Sequence, residues 1–170
     1  IMISPETFFD ELAVNGVRKY SGVPDSLLKN FCAYVSDNSD EGSHVITANE
    51  GSAIALAAGQ YAVSGDPSLV YMQNSGFGNA LNPLLSLADP HVYSIPMIVM
   101  VGWRGEPGVK DEPQHLKQGA KMESLLDACE IPYYILDSSE QNLSRFVSKV
   151  TQHTKSDNCP IVILVKKNTF

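Results

Sequence analysis

Glu50 is the only carboxylate between His44 and Ser64, and it stands where an apolar run, Val45-Ile-Thr-Ala48, meets a stretch of small residues, Gly51-Ser-Ala-Ile-Ala-Leu-Ala-Ala-Gly59. The first run reads as a strand and the second as a helix. A lone acid at the carboxyl end of a strand is where an open α/β sheet places its ligand chemistry. So placed, one carboxylate can exchange a proton with a bound cofactor without a metal ion or a nucleophile. A plainer explanation also exists, because an acid in the first turn of a helix is stabilised by the partial positive charge there.

Three other segments carry groups of chemical interest. In Gly22-Val-Pro-Asp25-Ser26, Asp25 or Ser26 either caps a following helix or meets a substrate. Gly76-Phe-Gly78-Asn79 is a glycine-rich turn that brings backbone amides near a flat ring or an anion. It has neither the Walker lysine nor a full G-x-G-x-x-G, so a nucleotide phosphate loop is not expected, and Ser75 lies in no nucleophile elbow. The run Arg104-Gly-Glu-Pro-Gly-Val-Lys110-Asp-Glu-Pro-Gln-His115 is a long polar loop, of the kind that is usually functional or disordered. Arg104, Lys110 and His115 suit an anionic substrate; the alternative is a solvated surface loop.

The elements that must position these groups alternate along the chain. Helices are predicted from Pro5 to Val14 (capped by Ser4), Ser26 to Ser36, Gly51 to Val63, Ala80 to Leu87, Met122 to Cys129 and Glu140 to Thr154 (Ser138 and Gln141 as a capping box). Strands are predicted at Val17–Tyr20, His44–Thr47, Leu69–Met72, Ile95–Val101, Tyr133–Leu136 and Ile161–Val165, with the polar loop running from Gly102 to Gln118. This pattern predicts an α/β fold of three layers: a mostly parallel sheet of about six strands with helices on both faces. The segments Gly22–Asp25, Asn49–Gly51, Gln73–Asn79 and Gly102–His115 all leave the carboxyl ends of strands, where such sheets bind ligands.

Composition narrows the function classes. The 170 residues, 44% hydrophobic and 18% charged, predict a single globular domain. A net charge of −7 argues against a nucleic-acid footprint or an anionic membrane surface. No apolar run reaches the roughly 18 residues of a membrane span, and no signal peptide is expected before Ser4-Pro-Glu6. Cys32, Cys129 and Cys159 are read as buried free thiols of a cytoplasmic protein. No metal site is expected, since His44, His91, His115 and His153 show no ligand spacing with each other or with cysteine.

Four segments together resemble the pyrimidine-binding domain of thiamine-diphosphate-dependent 2-oxoacid decarboxylases: Ser21-Gly-Val-Pro-Asp-Ser-Leu-Leu28, Ala48-Asn-Glu-Gly-Ser-Ala-Ile-Ala-Leu-Ala-Ala-Gly59, Tyr71-Met-Gln-Asn-Ser-Gly-Phe-Gly-Asn79 and Gly102-Trp-Arg-Gly-Glu-Pro-Gly-Val-Lys-Asp-Glu-Pro-Gln-His115. Within that group the likeness is to phosphonopyruvate decarboxylases, with the α subunits of sulfopyruvate decarboxylases as near relatives. It covers nearly the whole chain, and the last two segments are the most specific.

The resemblance implies that Glu50 hydrogen-bonds N1′ of the cofactor's aminopyrimidine and so helps remove the proton from thiazolium C2. The cofactor then carries the hard step. It implies Asp25 as a proton donor, His115 as a looser catalytic match, and Gln73, Asn74, Ser75 and Gly76 as the turn over the pyrimidine. Ser26, Arg104 and Lys110 are the expected contacts to an anionic 2-oxoacid. Family members hold the diphosphate through Mg²⁺ in a second domain that opens with Gly-Asp-Gly, a motif this sequence lacks; Gly65-Asp66-Pro67 reads as a surface turn. The expectation is therefore one pyrimidine-binding domain over residues 1–170, completed by a diphosphate-binding domain or β subunit in a homo- or hetero-oligomer. A truncated phosphonopyruvate decarboxylase is the preferred explanation. A reading of another class, a non-catalytic interaction or regulatory domain, requires Glu50→Gln to change nothing.

Overall fold

The computed structural model describes residues 2–170 and contains one six-stranded sheet in which every neighbouring pair runs parallel. Its strands are β1 (Tyr20–Gly22), β2 (His44–Ile46), β3 (Ser68–Gln73), β4 (Met97–Gly102), β5 (Tyr133–Leu136) and β6 (Pro160–Val165), ordered β2-β1-β3-β4-β6-β5. The helices are α1 (Pro5–Val14), α2 (Lys29–Asn38), α3 (Glu50–Ser64), α4 (Phe77–Pro83), α5 (Pro113–Ala128) and α6 (Leu143–Asp157). The central strands are apolar throughout because both their faces are covered. Leu69, Tyr71, Ile98, Met100, Ile161 and Ile163 pack on the α1 side, while Val70, Met72, Val99, Val101, Val162 and Leu164 pack with α3, α4 and α5. The chain leaves β1 and β3 in opposite directions along the sheet, so their carboxyl ends flank the topological switch point.

Several boundaries differ from expectation, each for a physical reason. β1 lies further along, at Tyr20–Gly22, because its strand must lie beside the Tyr71 ring, and a Cβ at Gly22 would collide with that ring and its carbonyl. α2 starts only at Lys29, since Asp25 and Ser26 belong to the preceding turn. The helix expected at Ala80 begins at Phe77 directly after a tight turn, Asn74–Gly76; Pro83 lacks an N–H, and a wider turn, Leu84–Ala88, follows it. Asn142, rather than Ser138, caps α6 by accepting from Arg145 N at 2.9 Å.

The largest difference is in the polar loop. α5 begins at Pro113, whose fixed φ suits a first helical position, so the loop ends at Glu112 instead of Gln118. The missed half of α5 has little apolar periodicity and contains Gly119. That glycine is required: a Cβ there would strike the backbone of Arg104 and Gly105, and its carbonyl accepts from Trp103 Nε1 at 2.9 Å. Cys32 and Cys159 are buried as expected and Cys129 is half-buried, all three as free thiols. No helix among the described residues is long and apolar enough to cross a membrane, and none of their His, Cys, Asp and Glu side chains form a metal-binding cluster.

Candidate active site

Glu50 is the first residue of α3, where Asn49 caps the helix by accepting from Ser52 N at 2.9 Å. The small residues behind it let α3 approach α4 closely, and Gly51 is needed for this, as its Cβ would come within 2.7 Å of Asn79 O. Glu50 Oε2 accepts from Asn79 Nδ2 at 2.9 Å, while Oε1 has no hydrogen-bond donor among the described residues. Its carboxylate lies in a hollow over Gly76, where a Cβ would collide with the carboxyl group and approach Cγ to 2.6 Å. The glycine thus makes room for the acid, and the half-buried carboxylate keeps one oxygen free.

The second carboxylate is held differently. Asp25 is 5% exposed, on the turn after β1, and lies against Gly102 at the end of β4, where any side chain would displace it. Oδ2 accepts from Leu27 N at 3.0 Å, and Oδ1 is buried without a partner. Burial raises the Asp25 pKa, opposed by the backbone N–H groups of Leu27 and Ser26 and by the Arg104 charge. A buried carboxyl with an idle oxygen and a raised pKa holds its proton to higher pH than an exposed one. Asp25 both caps its turn and retains this capacity.

The β3 and β4 loops are joined through Asn74. Its Nδ2 donates to Arg104 O at 2.8 Å and its Oδ1 accepts from Arg104 N at 3.0 Å, so this buried amide is fully used in holding two loops together. Gln73 donates to the Ser75 hydroxyl. The expected anion receptor, Arg104, is engaged: Nε donates to Asp111 Oδ2 at 2.8 Å, Nη2 bonds Asp111 Oδ1, and Nη1 donates to Ser26 Oγ at 3.0 Å. The guanidinium holds the Asp111 carboxyl far below the usual carboxylate range. Lys110 is exposed at the tip of the loop. His115 stands half-buried in the first turn of α5, its carbonyl against Gly105, and its imidazole forms no hydrogen bond with the described residues. Beneath the loop a cavity of about 180 Å³ is lined by Leu27, Trp103, Arg104, Glu106, Asp111 and Lys167, among others.

The structure thus links the Asp25, Asn74 and Arg104 loops directly, and seats Glu50 on the Gly76 turn beside them. Sequence reasoning did not single out Asn79, which orients Glu50, or Asp111, which occupies Arg104. The signal available for the second was an acid three residues after the Pro107-Gly108 break.

Comparison with known proteins settles the family. The family described as "Thiamine pyrophosphate enzyme, N-terminal TPP binding domain" matches residues 5–131. The chain belongs to the thiamine pyrophosphate enzymes. It is 40% identical over 129 residues to a phosphonopyruvate decarboxylase of Streptomyces viridochromogenes, a match covering 75% of this chain and 31% of that protein. It is 32% identical over 133 residues to the α subunit of a sulfopyruvate decarboxylase of Methanococcus maripaludis, covering 78% of this chain and 77% of the subunit. Among solved structures, a benzoylformate decarboxylase from Polynucleobacter necessarius superposes with a TM-score of 0.76 at 19% identity, over 98% of this chain and 30% of that one. The fold is that of these enzymes, and the chain spans about a third of the length of the phosphonopyruvate decarboxylases it matches.

Proposed function

We propose that this chain is the pyrimidine-binding half of a thiamine-diphosphate-dependent decarboxylase that converts 3-phosphonopyruvate to 2-phosphonoacetaldehyde and CO₂. One observation carries the reading: Glu50 offers an Oε1 without a donor, in a hollow that only glycine at position 76 permits. Asn79 fixes the other oxygen, so the proton exchanged with N1′ of the aminopyrimidine is held at Oε1. The cofactor, when bound, supplies the electron sink for carboxylate loss. Asp25 would deliver a proton from its unpartnered Oδ1. Ser26 and Lys110 remain candidates for the substrate's anionic group, with Arg104 acting through its own bonds and His115 as a further proton carrier.

The diphosphate and Mg²⁺ belong in this reading to a partner, either a further domain or a β subunit, so the active species is an oligomer working in the cytoplasm. The α-subunit relative matched over most of its length favours sulfopyruvate as the second reading. The test is to combine the chain with a diphosphate-binding half, thiamine diphosphate and Mg²⁺, and to assay both 2-oxoacids. Turnover of phosphonopyruvate in preference to sulfopyruvate is expected. A strong preference for sulfopyruvate transfers the assignment to the second reading, and turnover of neither abandons both.

A further inference from the structure

Arg104 is joined to three loops. Its backbone grips the Asn74 amide after β3, its Nη1 reaches Ser26 after β1, and its remaining edge is filled by Asp111 from its own loop. Four donors converge on Asp111: Arg104 Nε and Nη2, Gly105 N at 2.8 Å and Glu112 N at 2.8 Å. The two side chains are only 20% and 12% exposed. A guanidinium fork paired this way has its plane fixed, which aims the third nitrogen at the Ser26 hydroxyl.

We propose that Asp111 is a positioning residue of the decarboxylation site: it holds Arg104 across Ser26 and thereby fixes the turn that carries Asp25 against Gly102. The inference rests on the decarboxylase reading above and gives Asp111 no contact with substrate or cofactor. Without Asp111, a freed Arg104 is left with the acids whose charges already act on it, Asp25 and Glu112, and of these Asp25 has a buried, unpartnered Oδ1. An arginine paired there would lock Asp25 in its charged form and remove its proton from use. The other titratable group facing Asp25 is the Cys32 thiol on α2, which burial keeps protonated with a pKa of about 11. Burial raises the Asp25 pKa most, and Arg104 is the charged side chain that opposes it beside the backbone N–H groups of Leu27 and Ser26.

Steady-state kinetics of Asp111→Asn, in the chain combined with its diphosphate-binding half, test this together with ¹³C NMR titration of the Asp25 carboxyl in the chain itself. Asp111→Asn is expected to lower kcat roughly 10²-fold, the scale of a misplaced catalytic group, while KM stays within about threefold of wild type. The Asp25 midpoint is expected to fall. Asp111→Glu keeps a carboxylate opposite Arg104 on a stem one methylene longer and is expected to shift kcat and the Asp25 midpoint in the same directions by less; it carries the test if Asp111→Asn fails to fold. A raised KM with unchanged kcat, or an unmoved Asp25 midpoint, overturns the proposal. Absence of turnover in the wild-type assembly overturns the decarboxylase reading instead, and the Asp25 titration still decides whether Asp111 keeps Arg104 away from it.

Discussion

The two acids of the site sit in opposite kinds of corner. Glu50 rests among glycine and alanine, held by one amide, with an oxygen open to an incoming ring. Asp25 lies in a corner crosslinked by an ion pair, a hydroxyl and a buried amide, and its idle oxygen is sealed from solvent. The first corner is built from small residues and the single Asn79 amide, and it leaves Oε1 without a donor. The second is assembled before anything binds. The difference separates an acid with an open oxygen from one whose burial raises its pKa.

The largest expected effect breaks the open corner. Glu50→Gln keeps the shape and the Asn79 bond but cannot exchange a proton at Oε1, so turnover of the reconstituted enzyme should fall roughly 10²–10⁴-fold. The thermal midpoint of the chain should be unchanged within the few tenths of a kcal/mol typical of surface exchanges. Equal turnover of Glu50→Gln and wild type would remove Glu50 from the chemistry and favour a non-catalytic domain. Gly76→Ala should act next most strongly. Its backbone φ of −82° tolerates any residue, so the entire effect comes from the methyl group pushing the Glu50 carboxylate out of its hollow. A turnover loss of roughly 10²-fold with a folded chain is expected, and wild-type turnover would show that the hollow is not used.

These corners were not equally legible in the sequence. The six strands, their parallel order and the placing of Glu50 at a strand-to-helix junction follow from hydrophobic runs and glycine punctuation. Position 76 drew attention as a glycine-rich turn, although nothing local revealed that the missing Cβ serves a residue 26 positions earlier. At Arg104 the sequence shows an arginine in a polar loop suited to an anionic substrate, and the structure adds its partner Asp111 from the same loop. Pairing between two loop residues depends on backbone turns at Gly105 and Gly108, whose φ angles of +71° and +82° no periodicity encodes. Asn74, expected at the cofactor, also ties two loops together, because register places Gln73 beside Gly102 and brings the next residues within reach.

Asp25→Asn tests the sealed corner by stability. A buried carboxyl with one unsatisfied oxygen costs stability when ionised, so the variant should gain on the order of 1–3 kcal/mol at neutral pH while losing turnover. The sign follows from the raised pKa. The folded chain keeps the Asp25 proton above its ordinary 3.8, so this contribution is present at low pH and is lost as pH rises through the folded value. A variant less stable than wild type at pH 7 would mean that the ionised carboxylate is well solvated or paired, contrary to the sealed geometry.

The smallest effect lies at the edge of the sheet and has the opposite slope. His44 Nε2 meets the Tyr71 hydroxyl at 2.6 Å, and burial lowers the imidazole pKa from its ordinary 6.5. Here the unfolded chain takes up the proton first. The contribution is therefore complete above pH 6.5 and declines as pH falls towards the folded value, where the imidazolium can no longer accept from Tyr71. Thermal midpoints measured from pH 8 to pH 5 should show this decline in wild type and in Asp25→Asn, and should lose it in His44→Gln. If it persists in His44→Gln, another group produces the slope. If Asp25→Asn instead steepens the fall between pH 6.5 and pH 5, the two carriers overlap in range and the sealed acid titrates close to neutrality.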